Sequence, residues 1–229
     1  MPVKKTTFKE TDRAEFVLKQ TKVSVKHFRE AFEMVRKSRN ASGPPTAGEQ
    51  DLIRASLTFA AAGLDSTIKE LVKGSVRALA EHDPEVQRGL EEYTKRQLKD
   101  DKDGSLAKGA SSFLAKILVS ASPYDQLLDN YTRHLTGSSL QSVDELFKAS
   151  SALGIKVSMV NSKSKELRDI FFIRNKIIHE LDVRFDVKHG QKARNSRTKK
   201  GLDEMSNLLL KVAEEYIKAT NTKLLGYAK

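Results

Sequence analysis

Leu167-Arg-Asp-Ile-Phe-Phe-Ile-Arg-Asn-Lys-Ile-Ile-His-Glu-Leu181 is the stretch around which the chain is read. Apolar residues at Leu167, Ile170, Phe171, Ile177, Ile178 and Leu181 recur at the spacing of one buried helix face. At about 100° per residue, Arg174 falls in the middle of that stripe. Its guanidinium keeps its charge, so the position demands an anionic partner, a hydrogen-bonded cleft or a path to water. Asn175 and His179 are four apart and share the adjoining face. Arg174 and His179 diverge by roughly 140°, so one helix does not easily aim both at one reacting atom. Two copies related by a two-fold axis would do so, because a symmetric cleft gathers side chains from both flanks of the same helix. A homodimer with a shared site is the economical reading.

The surroundings of this helix are also helical. Residues 8–39 read as one helix, with Phe16, Val17, Phe28, Phe32 and Val35 as its expected buried positions. Turn formers at residues 40–48 break the pattern, and residues 1–45 are expected as an N-terminal helical arm, too short to bury a core alone. Thr46-Ala-Gly-Glu49 has the form of a capping box and opens a helix expected to run to about Lys73. Its middle, Ala55-Ser-Leu-Thr-Phe-Ala-Ala-Ala-Gly-Leu64, is apolar on most sides and belongs at the centre of a bundle. Asp65 follows it, either as an acid at the bundle's edge or as the partner of Arg174.

Asp83-Pro84, Ser122-Pro123 and Ser142-Val-Asp-Glu145 mark further helix starts. Residues 105–119 are expected as a helix and 155–160 as a brief extended piece. An acid-free basic run carries Lys188, Lys192, Arg194, Arg197, Lys199 and Lys200. A final amphipathic helix over 202–219 turns Met205, Leu208, Leu209, Val212 and Tyr216 inward. No strand pair is evident. The expected fold is all-α, a helical bundle filling residues 46–229.

Composition narrows the function. The chain of 229 residues carries 41 Lys and Arg against 30 Asp and Glu, a formal charge of +11. That field favours polyanions such as RNA, DNA or an anionic membrane surface. The absence of cysteine excludes disulfides, thiolate zinc sites and cysteine nucleophiles. No apolar run approaches the roughly 18 residues of a membrane span, and the start lacks a secretory apolar segment. No membrane association and a cytoplasmic location are expected. His27, His82, His134 and His189 show no metal-ligand spacing, and no Gly-rich phosphate loop or nucleophile elbow is present, so no metal or cofactor is expected.

Arg174-Asn-Lys-Ile-Ile-His179, with its apolar lead-in Ile170-Phe-Phe-Ile173 and the Ala-rich helix over 51–71, resembles the HEPN superfamily. The resemblance covers roughly residues 49–220, and the leading segment lies outside it. It implies a helical bundle of the HEPN type acting as a metal-independent RNA endonuclease, with the motifs of two protomers facing each other. It further implies a setting in toxin or phage-defence systems, with a cognate antitoxin or inhibitor as a possible partner.

The chemistry can be argued from the side chains alone. Cleavage through the RNA 2′-hydroxyl needs a proton acceptor, a donor for the leaving 5′-oxygen and positive charge on the phosphorane. Imidazole does the proton work near neutral pH. A guanidinium holds the phosphoryl oxygens. Arg174, Asn175 and His179 are therefore the expected catalytic set, Asp65 the supporting acid and the basic run the RNA-tracking surface. The rival expectation is a non-catalytic module that binds nucleic acid or a protein through its basic face.

Overall fold

The computed structural model describes residues 8–40, 43–99, 105–184 and 193–227. Among them the chain forms α1 (Asp12–Arg39), α2 (Ala47–His82), α3 (Pro84–Leu98), α4 (Ala110–Leu118), α5 (Pro123–Thr136), α6 (Val143–Ala152), α7 (Ser158–Ser162), α8 (Ser164–Glu180) and α9 (Lys199–Tyr227). A two-stranded antiparallel ribbon, β1 (Val183–Arg184) with β2 (Ala193–Arg194), bridges α8 and α9. The architecture is an all-α bundle.

The central helix α2 earns its place through composition. Ile53, Leu57, Ala60, Ala61, Leu64, Ile68, Leu71 and Val72 are all fully buried, so α2 is covered on most of its circumference. The box at its start forms as expected: Thr46 Oγ1 accepts the Glu49 N–H at 3.3 Å, and Glu49 Oε2 accepts the Thr46 N–H at 2.7 Å. The helix runs past Gly74 to His82. Gly74 is kept small by the backbone of Glu10, which a Cβ there would strike. Gly63 plays the same part against Thr21 of α1.

That close approach selects the inner face of α1. Ala14, Leu18, Thr21, Val25 and Phe32 are buried, and the apolar ones join the same cluster as α2 and α9. Phe16 and Val35, expected inside, are exposed. Where two helix axes come close, small side chains fit and a phenyl ring does not. Helix α9, which packs on α2 and is tied to α1 by the Arg29–Asp203 pair, buries Leu202, Leu209, Val212, Ala213 and Tyr216. The Tyr216 hydroxyl donates to Leu146 O at 2.5 Å and meets Ser150 Oγ at 2.7 Å, tying α9 to α6.

Caps fix the shorter elements. Asp83 accepts the N–H groups of Glu85 at 2.7 Å and Val86 at 3.1 Å. Its other oxygen takes the Tyr227 hydroxyl at 2.8 Å, and Lys223 pairs with it, so one cap also anchors the end of α9. Ser142 caps α6 through the Glu145 N–H at 3.1 Å. Three expectations are corrected. Residues 155–160 include the start of α7 rather than extended chain, α4 begins only at Ala110, and the ribbon supplies the strand pair that no pattern announced.

Candidate functional site on helix α8

Helix α8 buries Leu167, Ile170, Phe171 and Ile177 against the bundle. Ile178 and Leu181, expected on the same face, are exposed instead. The helix stops in a left-handed pair, Leu181 at φ 51° and Asp182 at φ 57°, and this turn swings Leu181 outward. Two consecutive non-glycine residues in that region are costly for L-amino acids, about 1–2 kcal/mol for one such as leucine.

What holds the turn is Asp182, which is fully buried. Its carboxylate accepts from Arg54 Nε at 3.2 Å, from Arg197 Nε and Nη2 at 3.0 and 2.8 Å, and from Asn195 Nδ2 at 2.9 Å. Burial pushes its pKa up, and the Arg197, Asn195 and Arg54 donors outweigh that, leaving it below the ordinary aspartate range. Arg54 completes its own set on Asp51, Gln50 and the Asn195 carbonyl. This cluster locks α8, the ribbon and α2 together. Its one sequence signal was Arg54 itself, a cation among the apolar positions of α2.

Arg174 is built differently. It lies in the buried row, half covered, and its Nη1 donates to Asn175 Oδ1 at 2.9 Å. Its Nε is buried with no hydrogen-bond partner. Arg29 and Arg36 also carry such an atom, but Asp203 lies 2.7 Å from Arg29 and Glu49 3.8 Å from Arg36. Among the described residues no carboxylate stands within 4 Å of Arg174. Burial draws its pKa below the ordinary arginine value, and the field of Asp65 only partly restores it.

Asp65 does not pair directly with Arg174. It binds Lys69 Nζ at 3.0 Å and accepts the Leu140 N–H at 2.7 Å. His179 and Asn175 are exposed on the outer side of α8, and His179 makes no hydrogen bond among the described residues. Lys176 lies 4.9 Å above the Phe172 ring. Beside the end of α8 runs a groove of about 510 Å³ against α2, lined by Phe59, Ile177, Leu181, Val183 and Arg194.

The basic run divides. Arg197 is committed to Asp182. Arg194 spans the Leu181 carbonyl at 2.9 Å and Asp51 at 2.6 Å. Lys199 binds Asp203 at 2.8 Å and Glu33 at 3.4 Å. Lys200 is almost fully exposed, with Glu204 at 4.0 Å. Lys188 and Lys192 lie outside the described residues. Among the described residues no group of three His, Asp or Glu is placed to hold a metal ion, and no helix is long and apolar enough to cross a membrane. No family model, curated protein or solved structure matches the chain, so the reading of the site rests on its own geometry.

Proposed function

We propose that the chain is a metal-independent RNA endonuclease of the HEPN type, with a composite site formed where two copies bring their α8 helices together. The observation that carries this reading is the half-buried, under-compensated guanidinium of Arg174. A cation drawn partly out of water without a carboxylate stabilises an incoming anion more strongly than a solvated one. Asn175 turns its amide oxygen to that guanidinium, orienting it.

The exposed His179 supplies proton transfer to or from the 2′-hydroxyl or the leaving 5′-oxygen. Exposed Phe172, Ile178 and Leu181 leave apolar surface on the same helix for a second copy to cover. The strained turn after His179, clamped by Asp182, fits a site that must be held rigid. RNA contacts fall to Lys200 and to Arg194, which retains partial exposure.

Incubation of labelled RNA with the protein in the presence of a chelator tests the proposal. Wild type cuts and leaves a 2′,3′-cyclic phosphate, whereas His179→Ala is folded and inactive. A wild-type protein that binds RNA but leaves it intact would point to the non-catalytic module instead. Among the described residues no side chain orients His179, which favours that second reading if no dimer forms.

A further inference from the structure

The groove between α2 and the end of α8 joins an aromatic face, apolar walls and an acid–base pair at its rim. Phe59 supplies the face. It is 47% exposed and is backed by Phe28, with ring centroids 4.8 Å apart, so the ring is braced and still half open. A single exposed phenylalanine is ordinary. This one is a wall of a cleft of about 510 Å³ whose further walls include Ile177 and Val183.

At the rim, Asp51 Oδ1 meets both of its partners, Arg54 Nη1 at 3.2 Å and Arg194 Nη1 at 2.6 Å. Asp51 Oδ2 has no partner among the described residues. Arg194 donates from Nε to the Leu181 carbonyl at 2.9 Å, and its Nη2 is unengaged among the same residues. Both side chains keep exposed surface. One free carboxylate oxygen and one free guanidinium nitrogen therefore border the same aromatic cleft.

The groove is also in line with Arg174. Arg54 meets Asp182 just past the end of α8, and the charge of Asp65 reaches Arg174 further back, so α2 and α8 run antiparallel. Their shared seam leads from Arg174 to the groove. Ile177 follows Arg174 in the same apolar row, about 4.5 Å further along the helix axis. An anion held at Arg174 thus has the cleft beside it.

We propose that this groove binds an unpaired guanine of the RNA whose phosphate Arg174 holds, an inference that rests on the endonuclease reading. The base stacks on Phe59 between Ile177 and Val183. Guanine alone among the four bases sets two adjacent N–H donors beside a carbonyl oxygen on its Watson–Crick edge, which suits a carboxylate next to a guanidinium. Asp51 Oδ2 accepts from that donor pair, and Arg194 Nη2 donates to O6. A paired guanine hides this edge, so duplex RNA is a poor ligand.

Fluorescence anisotropy of the intact protein with labelled 2′-O-methyl oligouridine strands, which resist cleavage through the 2′-hydroxyl, tests this. The strands differ in one internal base. The guanine strand is expected to bind about tenfold more tightly than the adenine, cytosine and all-uracil strands. Phe59→Ala should weaken the guanine strand about tenfold, and Asp51→Asn should bring it to the level of the adenine strand; both positions are half exposed.

Equal affinity for the four strands would overturn the proposal, as would a guanine preference that survives in folded Phe59→Ala and Asp51→Asn. Loss of dimerisation in Phe59→Ala with base preference unchanged would give the groove to the second copy and overturn it too. Arg174→Ala should lose cleavage of ordinary RNA and keep the guanine preference. Wild type that cuts without base preference refutes this groove and leaves the nuclease reading standing. Wild type that prefers guanine through Asp51 and cuts nothing does the reverse.

Discussion

Arg54 and Arg174 are two answers to the same problem, a guanidinium set in the apolar row of a helix. Arg54 on α2 is 3% exposed and finds Asp182, Asp51, Gln50 and the Asn195 carbonyl, so each of its nitrogens has an acceptor. Arg174 on α8 is less buried, yet it has one amide oxygen and an orphaned Nε. A compensated buried cation joins elements together. An uncompensated one is a local cost, and the proposed function gives it the role of an anion site. The same contrast runs through the rest of the molecule: Glu49 with Arg39 and Arg36, and Asp83 with Lys223, are closed structural pairs.

The contrast breaks most visibly at Asp182. Asp182→Asn keeps the size and the tolerance for left-handed backbone but removes the charge that Arg54 and Arg197 share. A loss of about 3 kcal/mol in urea unfolding is expected, the low end for stranding a buried partner. A smaller change would mean that Arg54 finds water.

Acid sharpens the same point. Burial raises the pKa values of Asp182, Asp83 and Glu49, but their donors prevail and leave all three below the ordinary range. Their contribution is present above the unfolded carboxyl value, about pH 4, and is lost as pH falls through the folded values. Melting temperature should therefore drop below about pH 4, and less steeply in Asp182→Asn than in wild type.

Thr46→Ala, which opens the box that orients Glu49 toward Arg39, is expected to cost about 1 kcal/mol in the same unfolding assay. Arg174→Met should have the smallest effect on stability, between none and about 1 kcal/mol of gain, because it exchanges a poorly compensated charge for apolar volume. Destabilisation of Arg174→Met comparable to that of Asp182→Asn would erase the distinction between the two arginines.

The elements that were legible in the sequence are those set by neighbours in the chain. Thr46 and Ser142 capped their helices, Pro84 and Pro123 took first-turn positions, and Leu167, Ile170, Phe171 and Ile177 faced inward as their spacing required. What depended on distant chain was not legible. The inner face of α1 was decided by Gly63 and Gly74 of α2, which admit Thr21 and the Glu10 backbone, so the large Phe16 was left outside.

Asp182 and Arg54 are 128 residues apart, and no local pattern announces their meeting. The candidate site was visible in the sequence as residue types on one helix, Arg174 in its apolar row and Asn175 and His179 beside it. That Arg174 would lack a carboxylate, while Asp65 turned to Lys69 and Leu140, was decided by packing.

Initial cleavage rates of labelled RNA in chelator, compared between wild type and Arg174→Ala at matched thermal stability, test the central claim most directly. A loss of at least about 100-fold is predicted, the scale of removing one preorganised donor from a developing phosphorane. Cuts that persist at the wild-type rate in Arg174→Ala would contradict it.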